Sequence, residues 1–560
     1  MSKFTLRTRY IVLVAAVLVL ALGAVSVAGA IPPKIIDVQL LALNDFHGNL
    51  EPPSGSSGRI GSVNAGGVEY LATHIDQLRS TNPNTVVVSA GDLIGASPLL
   101  SALFHDEPTI EAFNLMGLDF NAVGNHEFDE GWQELLRMQY GGCHPEDGCL
   151  DGDGFAGANF KFLAANVIND ATGRPILDPV GIKVFNRARI GFIGMTLEGT
   201  PSIVTPSGVE GLTFKDEADT ANALVPILKS RGVETIVVLL HEGGAQTGTY
   251  NECVGISGPV VDIVNRLDPE IDVVISGHTH QAYNCNINGK LVTSASSFGR
   301  LVTDIDLKID RLSGEVVQMT ANNVIVTRDV PKASLLTELI AKYQAVAGPI
   351  ANRVIGSITA DITRAANGAG ESALGDVIAD AQLENTKPAS EGGALVAFMN
   401  PGGIRADFIY NQISGSEQPG EVTYGEMFTV QPFGNNLVTM DLTGAQIDTL
   451  LEQQFENPSA GQNRILQVSE GFTYTWSQSA PTGNKVDIAS ITINGAPVDP
   501  NATYRITVNS FLADGGDNFS VLKQGTNRLG GAVDTDALEA YFKAFSPVAP
   551  GPQNRITVVP

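Results

Sequence analysis

The sequence predicts an α/β fold in two successive units joined by a helix, and three observations carry that expectation. Short apolar runs recur from Ile36 onward, separated by segments of helical periodicity. The runs are almost continuously apolar, as strands covered on both faces are. An amphipathic stretch, Lys332 to Ala347 (KASLLTELIAKYQAVA), then divides two such regions.

The first thirty residues stand outside this pattern. Lys3, Arg7 and Arg9 precede an apolar run from Ile11 to Val27 and a small-residue cleavage site, Ala28-Gly29-Ala30. A signal peptide is expected at 1–30, with an uncleaved anchor as the alternative. No second spanning segment follows, so an exported protein is expected: secreted, periplasmic or at the cell surface. The four cysteines fit such a compartment. Cys143 and Cys149 bracket the loop CHPEDGC, and Cys253 and Cys285 flank a histidine stretch. These two pairings are expected among the three that four cysteines permit.

In chain order, IDVQLLAL (36–43) reads as a strand ending in Asn44-Asp45-Phe46-His47. TVVVSA (85–90) ends in Gly91-Asp92, and FNAV (120–123) in Gly124-Asn125-His126-Glu127-Phe128-Asp129. ETIVVLL (234–240) ends in His241, and IDVVIS (271–276) in Gly277-His278-Thr279-His280. Helical patterns lie between, such as Tyr70–Ser80 and Ala218–Arg231. Strands at Leu301–Ile309 and Val316–Ile325 close a first unit, assigned to 31–329. A linker helix is assigned to 330–353 and a second α/β unit to 354–560.

Composition narrows the function. Of 560 residues 43% are hydrophobic and 17% charged, which excludes a disordered, solvated chain. A net charge of -26 argues against nucleic-acid polymers as partners and against broad adsorption to anionic lipid. Bound divalent ions can still reverse that field locally and admit a phosphate.

Five of the eight histidines, His47, His126, His241, His278 and His280, directly follow apolar strands. In open α/β sheets ligands bind beyond the carboxyl ends of strands, so these loops are expected to converge on one edge. His278 and His280, two apart in an extended segment, would face one volume and suit neighbouring metals, one ring each. Alone, the stretch fits equally a turn with two surface histidines. Packing unpaired His and Asp together is costly without a cation, which favours metal once all five loops are considered. His74, His105 and His144 lack this context and read as ordinary helix or loop residues.

Two divalent ions about 3.5–4 Å apart can clamp a phosphate ester and acidify a water, given a bridging carboxylate and oxygen and nitrogen ligands. Asp45-x-His47, Gly91-Asp92, Gly124-Asn125-His126-Glu127, His241 and Gly277-His278-x-His280 resemble the motif set of the calcineurin-like metallophosphoesterases. The resemblance implies a β-sandwich flanked by helices and two divalent metal ions, of Zn, Mn, Co or Fe type. It puts Asp45, His47 and His280 on one ion and Asn125, His241 and His278 on the other, with Asp92 bridging. The extension to Asp129 resembles the 5'-nucleotidase branch and implies a catalytic pair, His126 and Asp129. An imidazolium at His126 would stabilise charge on the phosphoryl group while Asp129 holds its ring. Capping of the next helix is the competing role for Asp129.

The second unit carries Glu371-Ser-Ala-Leu-Gly375-Asp376, Asn400-Pro-Gly-Gly-Ile-Arg405, Gln431-Pro-Phe433-Gly-Asn435 and Phe511-Leu-Ala-Asp-Gly-Gly-Asp517. These stretches resemble the 5'-nucleotidase C-terminal domain. The resemblance implies a base held between Phe433 and Phe511, at roughly 1–3 kcal/mol per stacked base. It puts Asp517 on ribose hydroxyls, Asn400 and Asn435 on further polar contacts, and Arg405 near the phosphate. A surface arginine beside Asp407 is the alternative for Arg405. Of the arginines that the family carries ahead of Glu371, this chain offers only Arg364. The expected function is an exported hydrolase of nucleoside 5'-phosphates whose second unit swings about the linker. UDP-sugar hydrolysis and 2',3'-cyclic-nucleotide phosphodiesterase activity are alternatives on the same site, and a non-catalytic nucleotide-binding protein is one from another class.

Overall fold

The computed structural model describes residues 34–53, 55–457 and 462–560, and the expected leader at 1–30 lies outside them. Two six-stranded sheets face each other in the first unit. One runs, in spatial order, Val316–Ile325, Leu301–Asp310, Ile35–Leu43, Thr85–Ser89, Phe120–Ala122, Lys161–Leu163. The other runs Ala282–Ile287, Lys290–Ala295, Val273–Ser276, Thr235–His241, Ala188–Thr196, Val180–Phe185. Val38, Leu40, Val86 and Val88 of the first meet Phe192, Val237, Leu239 and Ile275 of the second in a dry central layer. The outer faces are covered by helices, with Leu41, Leu43 and Val87 packed under Val68–Arg79 and Glu107–Met116. Burial on both faces is why these strands are apolar at every position rather than at alternate ones.

The strands that matter pair in parallel, so their carboxyl ends align. Leu43 lies beside Ser89, Ser89 beside Asn121, and Leu240 beside Ser276. The loops expected on one sheet edge therefore come from two facing sheets: Asp45, Asp92 and Asn125 from one, and His241, His278 and His280 from the other.

The linker helix, Ser334–Ala351, extends past the amphipathic stretch. It buries Leu336, Leu339, Ile340 and Tyr343 in the core that holds Leu71, Phe104 and Phe113, so it is docked on the first unit. Both expected disulfides, Cys143–Cys149 and Cys253–Cys285, are formed. Among the described residues no helix is long and apolar enough to cross a membrane.

The second unit is built on a five-stranded sheet ordered Gln467–Val468, Val396–Met399, Thr503–Asn509, Asn436–Thr443, Thr526–Val533. Val396–Met399 and Thr503–Asn509 run parallel and Asn436–Thr443 antiparallel to them. Asn400, Asn435 and Phe511 therefore all emerge at the same edge. The Glu371–Asp376 stretch serves the frame instead. Glu371 accepts the backbone N–H groups of Arg555 (2.9 Å) and Ile556 (3.1 Å), tying in the last strand. Asp376 sits buried beside it, with the Arg555 guanidinium 4.0 Å away.

Burial pushes the Asp376 carboxyl up to about 8 against the pull of Arg555, and Glu371 adds to the rise. The folded state keeps this proton to a higher pH than the unfolded chain, whose Asp titrates at about 3.9. Stability is thus lost as pH rises from about 4 towards 8. We predict that Asp376→Asn melts several degrees above the parent at pH 7.5, with the gain vanishing near pH 4. A pH-independent difference in melting temperature would contradict this.

Candidate active site

Three of the five strand tips turn left-handed. Asp45, His47, Asp92, His278 and His280 all have φ between 48° and 68°. Non-glycine residues rarely adopt this region, at roughly 1–2 kcal/mol each. Every Val, Leu or Ile buried in the sandwich contributes roughly 1.5–3 kcal/mol, so a handful of core residues offsets the strain. The conformation corrects the extended reading of His278 and His280. Their left-handed backbones send the two rings to different partners.

His47, His280 and Asp45 form one group of donors, and Asp92, His241 and His278 another. In the first, His47 Nε2 lies 3.1 Å from His280 Nε2, and His280 Nε2 lies 3.5 Å from Asp45 Oδ1. In the second, His241 Nε2 is 3.0 Å from Asp92 Oδ2 and 3.2 Å from Asn125 Oδ1, which is 3.0 Å from His278 Nδ1. Asp92 stands between the groups, because the same Oδ2 is also 3.7 Å from His47 Nε2.

The donor set fits divalent metal ions. His47 Nδ1 faces the Gly95 carbonyl and His241 Nδ1 the Ala90 carbonyl, each at 2.8 Å. A carbonyl only accepts, so each Nδ1 carries its proton and each neutral ring points a lone pair inward from Nε2. Those lone pairs meet further acceptors, and a cation resolves the conflict. Without one the protonation states are driven apart. Burial opposes charge on His241, but Asp92 outweighs it and raises the ring to about 10. Burial, with His241 adding to it, takes His278 down to about 3, and burial pushes Asp45 up to about 7.

His126 adjoins both groups. Its backbone N–H donates to Asp92 Oδ1 (2.9 Å), and its Nδ1 lies 2.8 Å from Asp129 Oδ2. Burial works against a charged ring, yet Asp129 and Asp92 raise the His126 pKa. The capping alternative for Asp129 does not hold. The next helix, Trp132–Tyr140, is capped by Gly131, and Asp129 instead accepts the Ala96 N–H (3.2 Å).

A cavity of about 740 Å³ joins these residues to the second unit. Asn400, Arg405, Phe433, Asn435, Phe511 and Asp517 line it together with Asp92, Asn125, His126, Asp129, His278 and His280. The Phe433 ring stacks on His126 at 5.7 Å, and the Arg405 guanidinium lies 5.9 Å from the centre of Phe433. Arg405 thus faces the cavity, while Asp407 accepts the Arg364 backbone N–H (2.9 Å). Arg364 is not brought to the site. Its guanidinium is turned to the Ile404 carbonyl and the Ser57 hydroxyl, both at 3.3 Å.

Sequence reasoning missed four contributors. Arg464 lines the cavity and pairs with Asp517 Oδ1 at 3.2 Å, supplying the second arginine there. Asn509 donates to Asn400 (3.0 Å), whose Nδ2 reaches Asp517 Oδ2 (3.3 Å). Asn44 donates to Asp45 Oδ2 (2.5 Å). Glu127 accepts the N–H groups of Asp92 (3.0 Å), Leu93 (2.8 Å) and Gly124 (2.6 Å), locking two tips together. Glu127 stood inside a recognised motif and Asn44 directly before one, so position in the same loops was their signal. Arg464 and Asn509 had none.

Residues 38–282 match the calcineurin-like phosphoesterase family and residues 354–524 the 5'-nucleotidase C-terminal domain. The chain is 31% identical to the cell wall protein Lmo0130 of Listeria monocytogenes, over 97% of this chain and 71% of that one. It is 32% identical to the endonuclease YhcR of Bacillus subtilis, over 94% of this chain, and spans 41% of that protein's length. The crystal structure of a 5'-nucleotidase precursor from Thermus thermophilus superposes with a TM-score of 0.78 at 28% identity, over 94% of this chain and 99% of that one.

Gly91 tests the packing of this centre. Its φ is +92°, and a Cβ there would stand 2.5 Å from His241 Nδ1 and 2.9 Å from the Gly124 nitrogen. Gly91→Ala is predicted to fold but to retain less metal after gel filtration than the parent. Unchanged metal content would contradict the close approach.

Proposed function

Because the chain belongs to the calcineurin-like phosphoesterases that carry a 5'-nucleotidase C-terminal domain, we propose that it is an exported, metal-dependent hydrolase of nucleoside 5'-phosphates. The observation that carries this reading is the cavity in which a histidine and carboxylate centre meets two aromatic rings and two arginines. Residues 31–329 would perform the reaction and 354–560 would select the substrate. The likeness to a Thermus 5'-nucleotidase supports the nucleotide assignment. The two disulfides fit an oxidising compartment outside the cytoplasm. A polynucleotide substrate fits poorly, given a net charge of -26 and a cavity of small-ligand size.

Asp45, His47 and His280 would hold one divalent ion and Asn125, His241 and His278 the other, with Asp92 shared. When bound, such a pair supplies Lewis acidity to phosphoryl oxygens and makes water nucleophilic at neutral pH. The protein's own groups orient and discharge the substrate. Phe433 and Phe511 stack on the base, and Asp517 accepts from ribose hydroxyls within the network of Arg464, Asn400 and Asn509. Arg405 neutralises phosphate charge with a guanidinium that cannot lose its proton. His126, held at Nδ1 by Asp129, presents Nε2–H to the ester oxygen and donates as that oxygen departs. General acid help of this kind is worth roughly 10²–10⁴ in rate.

Three measurements test the assignment. Asp92→Asn is predicted to lose at least a hundredfold in kcat on AMP and on p-nitrophenyl phosphate alike, and unchanged hydrolysis would defeat the metal reading. Phe433→Ala with Phe511→Ala is predicted to raise KM for AMP at least tenfold and spare p-nitrophenyl phosphate. Equal losses on both would contradict the base sandwich. In a panel with UDP-sugars and 2',3'-cyclic nucleotides, no preference for nucleoside 5'-phosphates would overturn the substrate choice.

A further inference from the structure

Two guanidiniums converge on Gly402. Arg405 follows the turn Pro401–Gly403 at the end of Val396–Met399, and Arg464 stands just before Gln467–Val468. These two strands pair antiparallel, Met399 beside Gln467, so the end of one and the start of the other share an edge. Arg405 Nη1 lies 3.5 Å from the Gly402 carbonyl, and a Cβ on Gly402 would stand 2.9 Å from Arg464 Nη1. Both arginines line the cavity. Like charges so placed repel each other unless an anion stands between them. Asp517 answers only one of them, with Oδ1 3.2 Å from Arg464 Nη1, while Arg405 is held by the Phe433 face and a carbonyl.

We propose that Arg464 is a second phosphate-binding residue, its guanidinium shared between Asp517 and the phosphate ester on the ribose that Asp517 holds. The proposal rests on the reading of the site as one for nucleoside 5'-phosphates and adds a recognition residue to Arg405. A guanidinium carries five N–H donors in a planar fork, and Asp517 takes up one nitrogen. The others remain for a phosphate, which such a fork binds bidentately. Arg364, the arginine expected here from the sequence, is turned to Ile404 and Ser57, so Arg464 supplies the second positive charge. The two arginines also face different donor groups. Burial chiefly keeps these rings neutral, and Arg405 adds to it at His47 and His280 and Arg464 at His278. A phosphate lying across both groups is thereby met by a guanidinium on each side.

Arg464 is positioned in advance. Its backbone N–H donates to the Gln454 carbonyl (2.8 Å), which fixes where the side chain starts. Its partner Asp517 is buried and left-handed, with φ 51°, a conformation costly for a non-glycine residue outside a constrained site. Asp517 Oδ2 takes the Asn400 amide at 3.3 Å, so the carboxylate is held from both sides. Gly402 leaves the space that Arg464 Nη1 fills.

The test uses the metal-loaded full chain, with p-nitrophenyl phosphate as reporter and inorganic phosphate, adenosine and AMP as competing ligands. Arg464→Gln is expected to raise the inhibition constants of phosphate and AMP roughly tenfold or more, the loss of a charge-assisted contact, and to change that of adenosine far less. Arg464→Lys keeps the charge without the fork, so a rise of roughly threefold for phosphate is expected. That variant carries the test should Arg464→Gln not fold. Unchanged inhibition by phosphate would overturn the proposal. So would weakened adenosine with phosphate spared, the result expected if Arg464 only holds Asp517. The phosphate arm involves no nucleoside. Failure of adenosine and AMP to compete in the parent would therefore count against the nucleotide reading, while phosphate still decides the role of Arg464.

Discussion

Everything in the first unit depends on one buried carboxylate, that of Asp92. Its Oδ2 is shared between His241 at 3.0 Å and His47 at 3.7 Å, and its Oδ1 takes the His126 N–H at 2.9 Å. It thereby reaches both donor groups and the His126–Asp129 pair at once. A buried carboxylate is tolerated only where positive charge or donors surround it, so its position dictates what the neighbouring tips must carry. Gly91 and Gly124 on either side lack Cβ atoms because Asp92 and His241 occupy that space.

The frame that imposes this is the sandwich. Two sheets with a dry layer between them fix the separation of their strand ends, and the tips reach inward from both. Left-handed turns at five of the donor residues cost several kcal/mol together, and hydrogen bonds between Glu127 and Asp92 and between Asn44 and Asp45 help to hold two of them. The second unit closes over the result. Phe433 on His126 and Arg405 beside it bring side chains of both units into one cavity. On the proposed function, the reaction and the choice of substrate would reside in different units that face each other across the cavity.

Much of this was legible in the residues. Strands covered on both faces write long apolar runs, and His, Asp and Asn gathered directly after several such runs are costly to pack together without a cation. That logic singled out the five loops and their histidines, and the resemblance to the calcineurin-like metallophosphoesterases then pointed to Asp45, Asp92, Asn125, His241, His278 and His280 within them. It could not tell one sheet edge from two facing sheets, since both give parallel strands with aligned ends. One ring for each ion was expected, but the left-handed turns at His278 and His280 were not, because such a turn at a non-glycine residue leaves no mark in composition. In the second unit the recognised loops supplied Phe433, Phe511 and Asp517. Arg464 escaped notice because its place is set by packing over the sheet, far from any motif. Arg364 was chosen for its position ahead of Glu371, and the Ile404 carbonyl and Ser57 hydroxyl draw its guanidinium away. His105 and His144 are separated by two helices and a strand, and their stacking left no mark in the sequence.

Anomalous diffraction from crystals grown with Mn²⁺ and recorded at its absorption edge examines the shared carboxylate most directly. Two peaks about 3.5–4 Å apart are predicted. One should lie within bonding distance of Asp45, His47 and His280, the other of Asn125, His241 and His278, with Asp92 reaching both. A single peak, or two peaks too far apart for Asp92 to join, would contradict the account.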